Sequence, residues 1–133
     1  MKVIIHTDGG ARGNPGPAAT GVVIKNTAGK TLAAYGEYLG IQTNNFAEYS
    51  ALLSGLKKAK HLGATEVECI LDSELVVKQL LGKYRVKEPT LQKLFVAVFN
   101  AAAAFKQVSY RHTLRHNNRA ADAEVNKVLD KQA

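Results

Sequence analysis

The 133-residue sequence predicts an α/β fold: a mixed sheet whose first three strands are antiparallel, with helices packed on its faces. Three observations carry this reading. The segments up to Leu39 read as strands joined by short turns, which implies hairpins. From Asn45 the apolar residues fall instead at helical spacing. Val67–Leu71 is then an apolar run interrupted only by Glu68, suited to a buried central strand.

The elements follow in order. Val3–Thr7 is a β-branched strand that breaks at Asp8-Gly9-Gly10. Gly9–Pro17 holds four glycines and two prolines in nine positions and reads as a loop. Ala19–Lys25 is a second strand, Asn26–Gly29 a turn and Thr31–Leu39 a third strand. Asn45–Leu62 is a helix closed by Gly63. After the strand Val67–Leu71 come a helix over Ser73–Leu81 and a basic connection, Gly82–Pro89, carrying Lys83, Arg85 and Lys87. A helix over Thr90–Phe105 starts near Pro89, and Ala101–Ala104 reads as its tail. Val108–His112 is the last strand and Arg119–Lys131 the last helix.

Length and composition fit one domain over residues 1–133. A chain of about 150 residues buries roughly 68–70% of its unfolded surface, so one core suffices without staples. The 46% hydrophobic and 22% charged fractions disfavour disorder. Cys69 is alone and lies in an apolar run, which makes it a core residue rather than a nucleophile. No signal peptide or membrane span is apparent, so the expectation is a cytoplasmic monomer. The formal net charge of +7 favours a polyanionic partner.

Four carboxylates stand out, and each has an ordinary structural explanation. Asp8 reads as part of an Asp-Gly turn at a strand end. Glu48 completes a capping box with Asn45, although it also lines up with Leu52, Leu56, Ala59 and Leu62 on the stripe facing the sheet. Asp72 reads as the N-cap of the next helix. Asp122 complements the dipole of the last helix. Their joint placement argues for more. Asp8 and Asp72 sit at strand C-termini, where open α/β sheets bind ligands. If those strands are adjacent and parallel, the two carboxylates approach. Crowded carboxylates repel, and a hard divalent cation such as Mg²⁺ relieves the repulsion.

Four motifs in order resemble those of the type 1 ribonuclease H family, over nearly the whole chain. They are Thr7-Asp8-Gly9-Gly10-Ala11-Arg12-Gly13-Asn14-Pro15-Gly16, Thr43-Asn44-Asn45-Phe46-Ala47-Glu48-Tyr49, Leu71-Asp72-Ser73 and Arg115 through Asp122. The resemblance implies a five-stranded mixed sheet in the order 3-2-1-4-5. It also implies cleavage of the RNA strand of an RNA/DNA hybrid with two Mg²⁺ (or Mn²⁺) ions, leaving 3′-hydroxyl and 5′-phosphate ends. Asp8, Glu48, Asp72 and Asp122 match the family's metal-binding acids, and His112 its catalytic histidine by distance from Asp122, with His116 the other candidate. Asn14, Asn44 and Asn45 match positions that contact the hybrid. Gly9, Arg12 and Gly13 of the first motif, Thr43 of the second, Ser73 of the third and Arg115 and Asn118 of the fourth complete the expected nucleic-acid contacts. The chain is similar to compact members that lack an extra helix and basic loop, some of which also cut RNA–DNA junctions or double-stranded RNA. The rivals are a non-catalytic hybrid-binding module on the same fold and an integrase- or resolvase-like nuclease. A binder gains nothing from acids clustered toward phosphates.

Overall fold

One five-stranded sheet, ordered β3-β2-β1-β4-β5, organises the computed structural model, which describes residues Met1–Ala133. The strands are β1 (Lys2–Ala11), β2 (Gly16–Asn26), β3 (Thr31–Gln42), β4 (Glu66–Leu71) and β5 (Gln107–His112). β1, β2 and β3 pair antiparallel, whereas β4 runs parallel to both β1 and β5. The helices are α1 (Asn44–His61), α2 (Glu74–Leu80), α3 (Pro89–Ala102) and α4 (Arg119–Gln132), with a single 3-10 turn at Arg115–Asn117. The expected element order and strand order both hold. No helix is long and apolar enough to cross a membrane.

Side chains of β1 alternate between two layers. Ile5 and Thr7 face α1, where a Cβ on Gly55 would meet both. Gly10 faces α4, beside Val125. The main core lies on the α1 side and is built from Val3, Ile5, Val22, Tyr49, Leu52, Leu56 and Cys69 with their neighbours. A smaller cluster of Ala19, Val125 and Leu129 fastens α4 to the other face. Cys69 is fully buried, and burial pushes its thiol up to about 12, so it is inert as a nucleophile.

Among the boundaries that differ from the sequence expectation, three bear on packing and the site. β1 does not break at Asp8: Gly9, Gly10 and Ala11 still pair with Thr20, Ala19 and Ala18. The expected loop over Gly9–Pro17 contracts to a turn between Ala11 and Gly16. Glycine normally weakens a strand, but here it admits a helix. A Cβ on Gly9 would stand 2.2 Å from the Ala47 carbonyl carbon and 2.4 Å from the Glu48 nitrogen. α3 ends at Ala102, so Phe105 packs from the following turn into the core.

The same device operates on the opposite face. A Cβ on Gly21 would stand 2.1 Å from the Ala121 carbonyl oxygen, and one on Gly36 2.9 Å from that of Glu124. α4 therefore rests with its backbone almost on the sheet. Gly21→Ala should lower stability by about 1–3 kcal/mol or more, since only backbone could yield. Thermal melting tests this, and a melting temperature equal to that of wild type would refute the close approach.

Candidate active site

Asp8 lies inside β1, one residue past the last pairing with β4, Thr7↔Leu71. Asp72 follows β4 directly. The parallel pairing thus sets them side by side, as the sequence suggested. Glu48 arrives from α1 across Gly9. The carboxylate oxygens of Asp8, Glu48 and Asp72 come within 4.8 Å of one another. Asp122 lines the same cavity, of about 440 Å³, and its charge helps raise the pKa of Asp8. It stands outside the tight group of three.

Two of the capping roles expected for these acids fall to other residues. Thr43 caps α1, accepting from the Phe46 N–H at 3.2 Å, so Glu48 lies too far along the helix for a capping box. Ser73 caps α2, accepting from the Val76 N–H at 3.3 Å, and this frees the Asp72 carboxylate. Asp122 does occupy the first turn of α4. Its oxygens face Asn126 Nδ2 at 3.3 Å and the Arg115 guanidinium at 3.7 Å.

Crowding shows in the proton affinities. Burial, then the neighbouring Asp72, push Asp8 up to about 7. Burial followed by the Asp8 and Asp72 charges raises Glu48 well above the ordinary range. Burial raises Asp72 as well. Glu48 is only 7% exposed, and its Oε2 has no hydrogen-bond partner. A buried, unpartnered carboxylate oxygen within reach of two more carboxylates is a donor set that fits a hard divalent cation.

The surrounding residues divide by what they touch. Gly9, Arg12, Asn44, Asn45, Ser73 and Arg115 line the cavity with the acids. Asn44 Oδ1 accepts from the Ala11 N–H at 2.8 Å, and Asn14 Oδ1 accepts from the Asn44 N–H at 3.0 Å. These bonds pin the turn after β1 to the start of α1. Gly13 shapes that turn with a φ of 97°. Arg12 is paired with Asp130 at 2.6 Å on the surface. Asn118, expected at the substrate surface, is instead 2% exposed, and its Nδ2 donates to the Thr7 carbonyl at 2.9 Å. His112 ends β5 beside Leu71 and does not line the cavity. His116 is exposed in the 3-10 turn. Sequence reasoning missed Asn126, which lines the cavity; its i+4 spacing from Asp122 was the available signal.

This sheet order, with three converging acids and a fourth across one cavity, defines a ribonuclease H-like protein. The protein family described as "Reverse transcriptase-like" matches residues 6–128. "Bifunctional protein Rv2228c" of Mycobacterium tuberculosis is 44% identical over 134 residues, covering all of this chain and 37% of the relative. The chain therefore spans little more than a third of that relative's length. The crystal structure of RNase H1 from Halobacterium salinarum superposes with a TM-score of 0.96 at 39% identity, over 98% of this chain and 99% of the other. LC11-RNase H1, solved in complex with an RNA/DNA hybrid, gives 0.93 at 44% identity over 98% of both. The chain belongs to the type 1 ribonuclease H family.

The raised acids have a consequence for stability. The folded protein holds the Asp8 proton in a range where the unfolded chain has released it. This contribution is full below the unfolded value and is lost as pH rises through about 7. Without divalent metal, Asp8→Asn should therefore melt above wild type near pH 8, and the gap should shrink near pH 5. A gap that does not depend on pH would contradict the crowding.

Proposed function

We propose that this protein hydrolyses the RNA strand of RNA/DNA hybrids, leaving 3′-hydroxyl and 5′-phosphate ends. The observation that carries the reading is the convergence of Asp8, Glu48 and Asp72 within 4.8 Å, in a cavity that Asp122 also lines. The hybrid held by the similar LC11-RNase H1 supports the substrate class.

Asp8, Glu48, Asp72 and Asp122 would hold two Mg²⁺ or Mn²⁺ ions. When bound, such ions supply an activated water and neutralise charge at the scissile phosphate. The chain's own groups do the rest. Cation binding would displace the protons that burial and crowding favour on Asp8, Glu48 and Asp72. Asn44 and Asn45, at the first turn of α1, present side-chain amides along the cavity wall. Amides there suit the 2′-hydroxyls and base edges of a minor groove, and the 2′-hydroxyl is what tells RNA from DNA. Arg12 and Arg115, at the cavity rim, suit backbone phosphates. The family resemblance points to His112, at the end of β5 outside the cavity, as the residue assisting turnover, with His116 of the 3-10 turn as the alternative.

Affinity for the duplex also draws on the exposed connection between α2 and α3, with Lys83, Arg85 and Lys87. That connection is held in place. The buried Tyr49 hydroxyl donates to Gln79 Oε1 at 2.6 Å, and Gln79 Nε2 donates to the Arg85 carbonyl at 3.2 Å.

Purified protein with Mg²⁺ or Mn²⁺ should cut labelled RNA in a hybrid, and more slowly in RNA/RNA duplexes or at RNA–DNA junctions. Asp72→Asn should fold and yet lose turnover by about 100-fold or more. Intact RNA at every metal concentration would overturn the reading, and full activity in the variant would remove Asp72 from the site.

A further inference from the structure

We propose that Asn118 is a positioning residue for the acid cluster: its buried amide ties α4 to β1 next to Asp8 and so sets the spacing of Asp8, Asp72 and Asp122. The inference rests on the hybrid-nuclease reading of this site.

Asn118 stands at the N-cap of α4, where asparagine is favoured because its side-chain oxygen accepts from the helix's own first N–H groups. Here the side chain makes no capping bond. It turns inward, where it is 2% exposed, and Nδ2 donates to the Thr7 carbonyl at 2.9 Å. Thr7 is the residue before Asp8 and the last of β1 to pair with β4. At that point β4 ends and Asp72 begins. On the backbone side, the Asn118 carbonyl accepts from the Asp122 N–H at 3.1 Å. One residue therefore ties the strand that carries Asp8, at its last pairing with the strand that leads into Asp72, to the first turn of the helix that carries Asp122.

A surface cap could swing toward substrate at little cost. A buried amide bonded to a strand carbonyl cannot do so without leaving that carbonyl unpaired. Asn118 accordingly acts through the acids rather than on the hybrid. Groups that hold metal ligands in place typically change metal affinity or activity by about 10–100-fold when removed.

The test uses the full chain with Asn118→Ser and Asn118→Ala, measuring hybrid cleavage, thermal melting and calorimetric binding of Mn²⁺ alone. Serine still caps a helix but is too short to reach the Thr7 carbonyl, so Asn118→Ser should melt somewhat below wild type, by the loss of that one buried bond, and stay folded at the assay temperature. Both variants should lose about 10–100-fold in kcat, keep KM for the hybrid within about twofold, and bind Mn²⁺ correspondingly more weakly. Should Asn118→Ala unfold at the assay temperature, Asn118→Ser alone decides. Wild-type kcat and Mn²⁺ affinity in Asn118→Ser would overturn the proposal. So would a loss confined to KM, which would make Asn118 a contact to the hybrid. If the wild-type protein cuts no hybrid, the nuclease reading falls by itself. The Mn²⁺ titration still decides the role of Asn118: weakened binding in the variants supports it, and unchanged binding overturns it.

Discussion

Two points of near contact between helix and sheet backbone govern this structure. At Gly9 the first turn of α1 presses on β1, and at Gly21 the first turn of α4 presses on β2. Neither approach leaves room for a Cβ. Each helix carries one acid in or beside the turn that makes the approach, Glu48 on α1 and Asp122 on α4. Asp8 lies on β1 beside Gly9 and pairs with Gly21. Tight packing on both faces of the central strands thus draws carboxylates from two helices toward a third. The parallel register of β4 adds Asp72. This packing leaves Glu48 Oε2 buried without a hydrogen-bond partner, beside acids crowded enough to hold their protons until a cation takes their place.

Charge is distributed unevenly, in a way that suits a polyanion cut at an acidic centre. The chain carries a net charge of +7, yet the cavity of the candidate site is lined by four acids. The cations lie around it. Arg12 and Arg115 stand at the rim, and Lys83, Arg85 and Lys87 are exposed on the connection anchored through Gln79. Attraction for the backbone therefore comes from the periphery, while the centre would repel a phosphate unless metal is bound. That division separates an enzyme from a mere binder on this fold.

Much of this was legible in the sequence, for identifiable reasons. Strand runs, the switch to helical spacing and the largely apolar Val67–Leu71 run are local signals, and a mixed sheet followed from them; its strand order came from the family resemblance. The four acids were legible only as a set, because alone each had an adequate local explanation. Three of those explanations did not survive. Asp8 sits inside β1 rather than in an Asp-Gly turn. Thr43 rather than Asn45 caps α1, and Ser73 rather than Asp72 caps α2. Cap positions depend on one residue of backbone geometry, which composition does not resolve. β1 ran past its expected break because Gly9 and Gly10 serve packing from outside the strand, a cause three-dimensional in origin. For the same reason Asn118 read as a surface contact: its partner, the Thr7 carbonyl, is 111 residues away in sequence.

The central claim is that crowding gives the acid cluster shared protons which a divalent cation displaces. Calorimetric titration of the metal-free protein with Mg²⁺, in buffers of different ionisation enthalpy, measures this directly. Near pH 6.5, below the value of about 7 to which Asp8 is raised, binding should release protons, and the release should fade toward pH 9. Mg²⁺ binding that releases no protons near pH 6.5, or no binding at all, would contradict the account.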